Sequence, residues 1–468
     1  MQYSIVNLST ILNINPAFRL DAEYYKKSYL EKDKFLLKSD MRNINDYSFI
    51  TDGEHGSPDW DNSTNIKYIT AENIKAGYIF RNNFKTISTK QHKKNDRSRL
   101  RENDILIYSV GGRGYVAKAE TDLFPCNIPR SVAIIRLNNF ADFLPEYITT
   151  FLNSKFGEYQ VQRLQAGNIQ PMLSLENIKK FQIVKLNLNF QEKIANLYNT
   201  SYTLRQSADA LYKEAEEILL EELGLKNYQS QNKKCFVKML SDIQEAGRID
   251  AEYFQPKYED VIDKIKKYKC GYALLENFIE NYSTGYPYKS EKYQNSGVPV
   301  IRIANIEKNK LELENNPAFI SEEYSNISKK DIAKAGNILI SMSGTIGNVA
   351  EIPENIKKCC INQRVLSFES KNINNKYLVL FLSSFFGYIQ FERIGVGGLQ
   401  VNLSYNDIKN LIIPLLPEQI QSTISLKIQQ SFKDREKSKQ LLEVAKRAVE
   451  IAIEENEEAG LKYIEENK

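Results

Sequence analysis

The segments TDGEHGSPDW (51–60) and KQHKKNDRSRLR (90–101) hold the only two histidines of a 468-residue chain, His55 and His92. Histidine is the usual proton carrier of a hydrolase and a usual zinc ligand. Here no Ser-His-Asp or Cys-His arrangement accompanies either one. Five cysteines, Cys126, Cys235, Cys270, Cys359 and Cys360, show no Cys-x-x-Cys spacing, so reduced thiols are expected rather than a metal site or a disulfide framework. GGRG (111–114) lacks the Lys-Ser/Thr ending of a phosphate-binding loop. NPAF, at 15–18 and again at 316–319, reads as a turn. What these polar loops do offer is Arg, Gln, Asn, Ser, His and Lys. Such side chains suit the edges of DNA bases, Arg to guanine and Asn or Gln to adenine. The basic run 90–101 suits phosphates, or else forms a solvated helix face.

The composition permits this without demanding it. At 42% hydrophobic and 26% charged the chain is globular, and its net charge of +4 is mild. Tyr is abundant, at 28 residues. The first residues lack a basic start followed by an apolar run. No apolar stretch reaches the ~18 residues of a membrane helix. A cytoplasmic location is expected.

The elements that must position these side chains occur twice. GNIQPMLSLENIK (167–179) recurs as GGLQVNLSYNDIK (397–409), identical at six of thirteen positions. RLDAEYY (19–25) recurs as RIDAEYF (248–254), and YITAENI (68–74) as VIRIANI (300–306). ILIYSVGGRGYVA (105–117) recurs as ILISMSGTIGNVA (338–350), matching Gly111 to Gly344 and Gly114 to Gly347. The offsets drift only between 229 and 233, so one unit of about 230 residues is duplicated. Each unit opens as a mixed α+β domain with β-branched runs such as ILIYSV and VAIIRL. The paired glycines predict a tight turn after a strand. Asp21/Asp250 and Glu23/Glu252, the shared acidic residues, predict caps or ion pairs rather than catalysis.

Each unit ends in a helix. Ile194, Leu197, Ser201, Leu204, Ala208, Leu211, Ala215 and Ile218 alternate at spacings of three and four, a heptad seam. Gly224 is its expected C-terminal stop. Ile424, Ile428, Phe432, Leu442, Ala445, Val449 and Ala452 give the second unit a looser stripe. Two such helices, roughly 50 Å long at ~1.5 Å per residue, are expected to bury their seams against each other as an antiparallel pair, with the domains related by a pseudo-twofold axis. The expected divisions are 1–188, 189–226, 227–416 and 417–468. In the repeated segment, Gly167 and Gly397 are expected to turn, Leu173 and Leu403 to enter the core, and Ser174 and Ser404 to cap a short helix.

A duplicated catalyst should duplicate its catalytic groups, whereas a duplicated binder keeps the scaffold and varies the reading surface. Here glycines and apolar positions are shared and the loops diverge: TDGEHGSPDW faces STGYPYKSEKY (283–293), and IPRSVA (128–133) faces INQRVL (361–366). Candidate DNA contacts in the first unit are His55, Ser57, Arg113, Arg130, Ser131, Asn168 and Gln170, with Lys93, Lys94 and Arg97 of the basic run. In the second they are Tyr286, Lys289, Thr345, Gln363, Arg364 and Gln400. Gln170 and Gln400 serve equally well as loop braces.

Taken together these segments resemble the specificity (S) subunits of type I restriction-modification systems. ILISMSGTIGNVA and ILIYSVGGRGYVA are similar to that family's strand-then-glycine element. GNIQPMLSLENIKKFQIV and GGLQVNLSYNDIKNLIIPLLPEQ are similar to the end of its target-recognition domains, the second closing with a spaced Leu-Pro…Gln entry to a helix, here Leu-Pro-Glu-Gln. In the first unit LNLNFQEK (186–193) replaces that opening, and GGRG replaces SGTIG. The resemblance implies two target-recognition domains, each reading half of a bipartite double-stranded DNA site, and two spacer helices that set the gap. Half-sites on one face of DNA lie about 34 Å apart. It also implies no cofactor in this chain. Two modification (methyltransferase) subunits would bring S-adenosylmethionine, and restriction subunits would use ATP and Mg. A nuclease or methyltransferase acting alone, and a coiled-coil scaffold without DNA contact, are the alternatives.

Overall fold

The computed structural model describes residues 21–81, 84–110, 114–165, 171–229, 235–313, 316–395 and 401–467. The chain divides into two compact units, residues 1–206 with 434–468, and residues 207–433. Each long helix therefore lends a stretch to both units. Among the described residues no helix is long and apolar enough to cross a membrane.

In the first unit, four antiparallel strands stand in the order Ser48–Asp52, Val132–Leu137, Ile105–Tyr108, Val116–Lys118. The two central runs are apolar at nearly every position because both faces of the sheet are covered. Ile105, Ile107 and Ile135 join Tyr147, Phe151 and Phe156 of the helices Pro145–Asn153 and Lys155–Leu164. Leu106, Val132 and Ile134 join a smaller cluster with Ile69, Ile74 and Ile79. A second sheet sets Lys67–Tyr68 between Lys85–Thr86 and the parallel strand Cys126–Asn127.

The second unit repeats this frame. Its main sheet runs Ile279–Ser283, Val365–Ser370, Ile338–Ser341, Val349–Glu351, and its smaller sheet again pairs Val298–Ile301 in parallel with Cys359–Ile361. Equivalent side chains make equivalent bonds. The buried hydroxyls of Tyr147 and Tyr377 donate to Val184 O and Pro414 O, each at 2.6 Å. Gln160 exchanges two bonds with the backbone of Gln182, and Gln390 does the same with Ile412. Asp21 and Asp250 accept from the amides of Tyr24 and Tyr253, and Asp250 also pairs with Arg248. Glu23 pairs with Lys26, and Glu252 accepts from the Tyr258 hydroxyl at 3.0 Å. The second NPAF leads from a loop into the strand Phe319–Ile320; the first lies outside the described residues.

The long helices span Leu188–Glu222 and Glu418–Glu454, and a further helix spans Glu457–Asn467. Gly224, at φ +66°, ends the first, with Leu225 N donating to Leu220 O. Within the first unit the helices run antiparallel, since Asn187 meets Glu457 and Ser201 meets Ser438. Within the second unit Ala208 O accepts from Ser431 Oγ at 2.7 Å, and Glu214 pairs with Lys427 at 2.5 Å. Of the expected seam on the first helix, Ile194, Leu197, Ser201, Ala208 and Ala215 are buried, while Leu204, Leu211 and Ile218 are half-buried and Leu219 is buried beside Ile218. On the second it needs correction, because Leu442 is half-buried while Ser431, Ser438 and Leu441 are buried. A hydropathy reading passes over serine. Yet small hydroxyl residues let two helix backbones approach closely, and Ser201 and Ser438 bond each other at 2.8 Å.

The opening of each long helix also differs from expectation. The shared residue is neither the proline nor Gln419, but Gln191 in the first unit and Gln421 in the second. Gln191 Oε1 accepts from Leu144 N and its Nε2 donates to Leu186 O; Gln421 does the same with Asn374 N and Leu416 O. LNLNFQEK thus keeps the group that matters.

One frame contact changes sign between the copies. In the first unit Lys118, on the last strand of the main sheet, pairs with Glu146 at 2.7 Å and with Glu120 at 3.4 Å, all nearly buried. Burial lifts the Glu120 carboxyl above the usual range, against the pull of Lys118. At the equivalent place in the second unit the strand carries Glu351 and the helix carries Lys376, 2.5 Å apart. Reversing one partner leaves like charges desolvated together, so Lys118→Glu should lower stability by about 3–5 kcal/mol. Lys118→Glu with Glu146→Lys should recover a good part of that loss in urea unfolding. A double variant no more stable than the single one would show that the pair's polarity is not interchangeable.

Candidate nucleic-acid interface

In each unit a ladder of backbone hydrogen bonds joins the repeated segment to the diverging loops. In the first, Leu173 N donates to Ser109 O at 2.8 Å, Ser109 N to Ser131 O at 3.0 Å, and Arg130 N to Glu54 O at 2.9 Å. In the second, Leu403 N donates to Met342 O at 2.8 Å, Met342 N to Arg364 O at 2.9 Å, and Gln363 N to Tyr286 O at 3.1 Å. Leu173 and Leu403 are buried, and Ser174 and Ser404 cap the short helices that follow, as expected. The repeated segment therefore anchors the diverging loops as well as plugging the core.

Two glycines fix the loops. A Cβ on Gly53 would lie 2.1 Å from Ile128 O, and one on Gly285 would lie 2.0 Å from Asn362 O. Only glycine lets the loop backbone lie against the turn that carries Arg130 or Arg364. The paired turn glycines have another reason than a ligand. A Cβ on Gly114 would strike Val161, and one on Gly347 would strike the Phe391 ring. Close packing on a helix is what excludes a side chain there.

Around the first turn the network is polar. His55 Nε2 lies 2.7 Å from Asp52 Oδ2, and Arg97 lies 3.1 Å from Asp52 Oδ1 and donates to Gly53 O. The basic segment begins as the helix Thr89–Lys94, capped by Ser88. Its buried Gln91 donates to Glu54, and His92 Nδ1 contacts Asn127 Oδ1. The neighbouring Tyr68 phenol is pushed up to about 12, by burial first and by Glu54 second. Around the second turn the network is aromatic. Tyr286 and Tyr288 stand edge to face at 5.1 Å, and Tyr288 and Tyr324 at 5.8 Å. Burial raises the Tyr288 phenol well above its ordinary range.

Bonds and ion pairs gather His55, Arg97, Arg130 and Ser131 about one ladder and Tyr286, Gln363 and Arg364 about the other, while Ser57 and Lys289 are exposed in the same loops. Lys93 and Lys94 project from the helix Thr89–Lys94. The side chains of Lys93, Lys94, Arg130, Gln363 and Arg364 are exposed and have no partner among the described residues. Thr345 is exposed too, and its carbonyl accepts from Ser341 Oγ. In the second unit Lys329 and Lys330 are exposed, while Lys334 pairs with Glu369 at 3.0 Å. Arg113, Asn168, Gln170 and Gln400, with Gly167 and Gly397, lie outside the described residues. The sequence reading missed Asp52, Glu54, Gln91 and Asn95, which brace the first loop, and the exposed Met172 beside Leu173.

Residues 275–446 match the type I restriction modification DNA specificity domain. The matched span runs from the second unit's main sheet into the second long helix, and the first unit shares its frame through the duplication. A curated relative, the type I restriction enzyme EcoAI specificity subunit of Escherichia coli, is 24% identical over 271 residues, 54% of this chain. That match spans less than half, 45%, of the relative's length. Among solved structures, the type I restriction-modification S subunit from M. genitalium is 13% identical, with a TM-score of 0.43, covering 88% of this chain and 94% of that one. The HsdS subunit from Thermoanaerobacter tengcongensis is 13% identical, with a TM-score of 0.28, covering 89% and 96%.

The two turns make contrasting predictions. Gly53→Ala and Gly285→Ala should each disorder the loop of their own unit alone, seen as faster limited proteolysis within 51–60 or 283–293 respectively. Arg364 occupies left-handed backbone at φ +69°, a conformation that disfavours a side chain by about 1–2 kcal/mol. Arg364→Gly should therefore raise the thermal midpoint of the chain in a melting experiment.

Proposed function

We propose that this chain is the DNA-reading subunit of a restriction-modification complex, with each unit reading one half of a bipartite target. The observation that supports this reading most is one frame built twice under different side chains. Arg130 and Ser131 in the first unit stand where Gln363 and Arg364 stand in the second, on the same ladder of backbone bonds. A catalyst would keep the tip constant; a reader of two different sequences must vary it. Arg130, Gln363 and Arg364 are the bidentate donors offered to base edges. His55, Ser57, Lys289 and Thr345 flank them, and Lys93 and Lys94 are placed for phosphates. The long helices would hold the two halves at a set spacing and dock two modification subunits. Those subunits would supply S-adenosylmethionine and the methyl transfer, and restriction subunits would supply ATP- and Mg-dependent steps. This chain contributes recognition and no reacting group.

Sequencing methylated positions in a host that expresses the chain with its methyltransferase subunit tests the reading. The expected motif is bipartite, and exchange of residues 1–185 should change one half only. A motif unaffected by the exchange would remove the proposal. Arg130→Ala should relax one position of the first half by ~1–3 kcal/mol, whereas Lys93→Ala should weaken binding across all sequences and lower the salt slope by about one.

A further inference from the structure

Glu54 sits at the junction of three segments of the first reading surface. Its amide donates to Ile128 O at 3.0 Å and its carbonyl accepts from Arg130 N at 2.9 Å. Its carboxylate turns the other way. Oε2 accepts from Gln91 Nε2, and Oε1 accepts from Asn95 Nδ2 at 2.5 Å. Gln91, itself buried, returns a bond by accepting from Asp59 N at 2.5 Å. One residue thus ties the loop 51–60 both to the helix that carries Lys93 and Lys94 and to the turn that carries Arg130.

A carboxylate facing DNA has one established use, accepting from the cytosine amino group. Both oxygens of Glu54 are already engaged by side-chain amides, so base contact is not its work. The second unit sharpens the point. Tyr286 occupies the equivalent position and makes the same backbone bonds, its amide to Ile361 O at 3.0 Å and its carbonyl from Gln363 N at 3.1 Å. Its side chain braces through the Tyr288 and Tyr324 rings instead.

We propose that Glu54 is a positioning residue for the first half-site, which sets the orientation of Arg130 by locking the basic helix to the reading turn. This rests on the DNA-reading function proposed above. It assigns base selectivity to a side chain that touches no base, and it makes Tyr286 a brace of the same kind.

The test uses the full chain assembled with its methyltransferase subunit and a DNA pool randomised in both half-sites. Glu54→Ala, Glu54→Gln, Arg130→Ala and the double variant Glu54→Ala/Arg130→Ala are compared by base preference among methylated products, with thermal unfolding of each chain alongside. Glu54→Ala should reduce preference at the base pair read by Arg130 about tenfold, as loss of a bidentate contact does. The second half-site should be unchanged. Glu54→Gln keeps one acceptor oxygen and should retain part of the preference. The double variant should lose no more selectivity than Arg130→Ala alone, because coupled residues are not additive. Additive losses, or an even fall in methylation across all sequences and both halves, would overturn the assignment. The exchange of residues 1–185 in the wild-type chain separates this from failure of the function itself. If that exchange leaves the motif intact, the DNA-reading proposal falls whatever Glu54 does.

Discussion

The structure depends on a backbone approach that has no room for a Cβ. Gly53 and Gly285 bring a surface loop within van der Waals distance of the turn that follows a short parallel strand. From that contact the ladder of amide bonds runs inward to Leu173 or Leu403, which plug the core. A side chain at the tip is thus held by backbone bonds whose donors and acceptors do not vary with sequence. Backbone groups taken from water must be paired, and here the pairing that satisfies them also aims the tip.

Duplication makes this separation visible. The tyrosine and glutamine bonds of the frame are equal in both units, while the bracing of the loop changes from carboxylate and amides to phenol rings packed edge to face. The buried ion pair between strand and helix is kept but reversed, Lys118 with Glu146 in one copy and Glu351 with Lys376 in the other. A strand of one copy set against the helix of the other would join two lysines or two glutamates. Buried like charges are costly, so the reversal favours each copy folding on itself, a hazard specific to a chain that carries the same fold twice.

The duplicated frame was legible because it rests on apolar periodicity, glycines and fixed offsets. Leu173, Ser174 and Gly224 take the roles their residue types announce. The helix seam was legible only where it is apolar: Ser431 and Ser438 look solvent-facing until the hydroxyl of Ser201 faces them. Gln191 hid because the proline beside its counterpart is absent from the first unit, although the bond it makes needs no proline. The candidate surface was legible as diverging loops and residue types. Its bracing was not, since Glu54 meets Gln91 and Asn95 across 37 and 41 residues, and polar pairs at that range leave no periodic trace.

A surface that must change its reading without losing its fold needs tip residues whose substitution costs little. Exposed side chains without partners meet that condition, since surface substitutions usually shift stability by no more than about 0.5 kcal/mol. Arg130 and Gln363 are of this kind. Arg364 is the exception, a long side chain held in left-handed backbone where glycine or asparagine would be easier. Its carbonyl is committed to Met342 N, so the backbone cannot relax without breaking the ladder. Strain retained at an exposed position with no partner among the described residues is the kind of backbone outlier that folding alone does not call for, and it sets the second turn apart from the first.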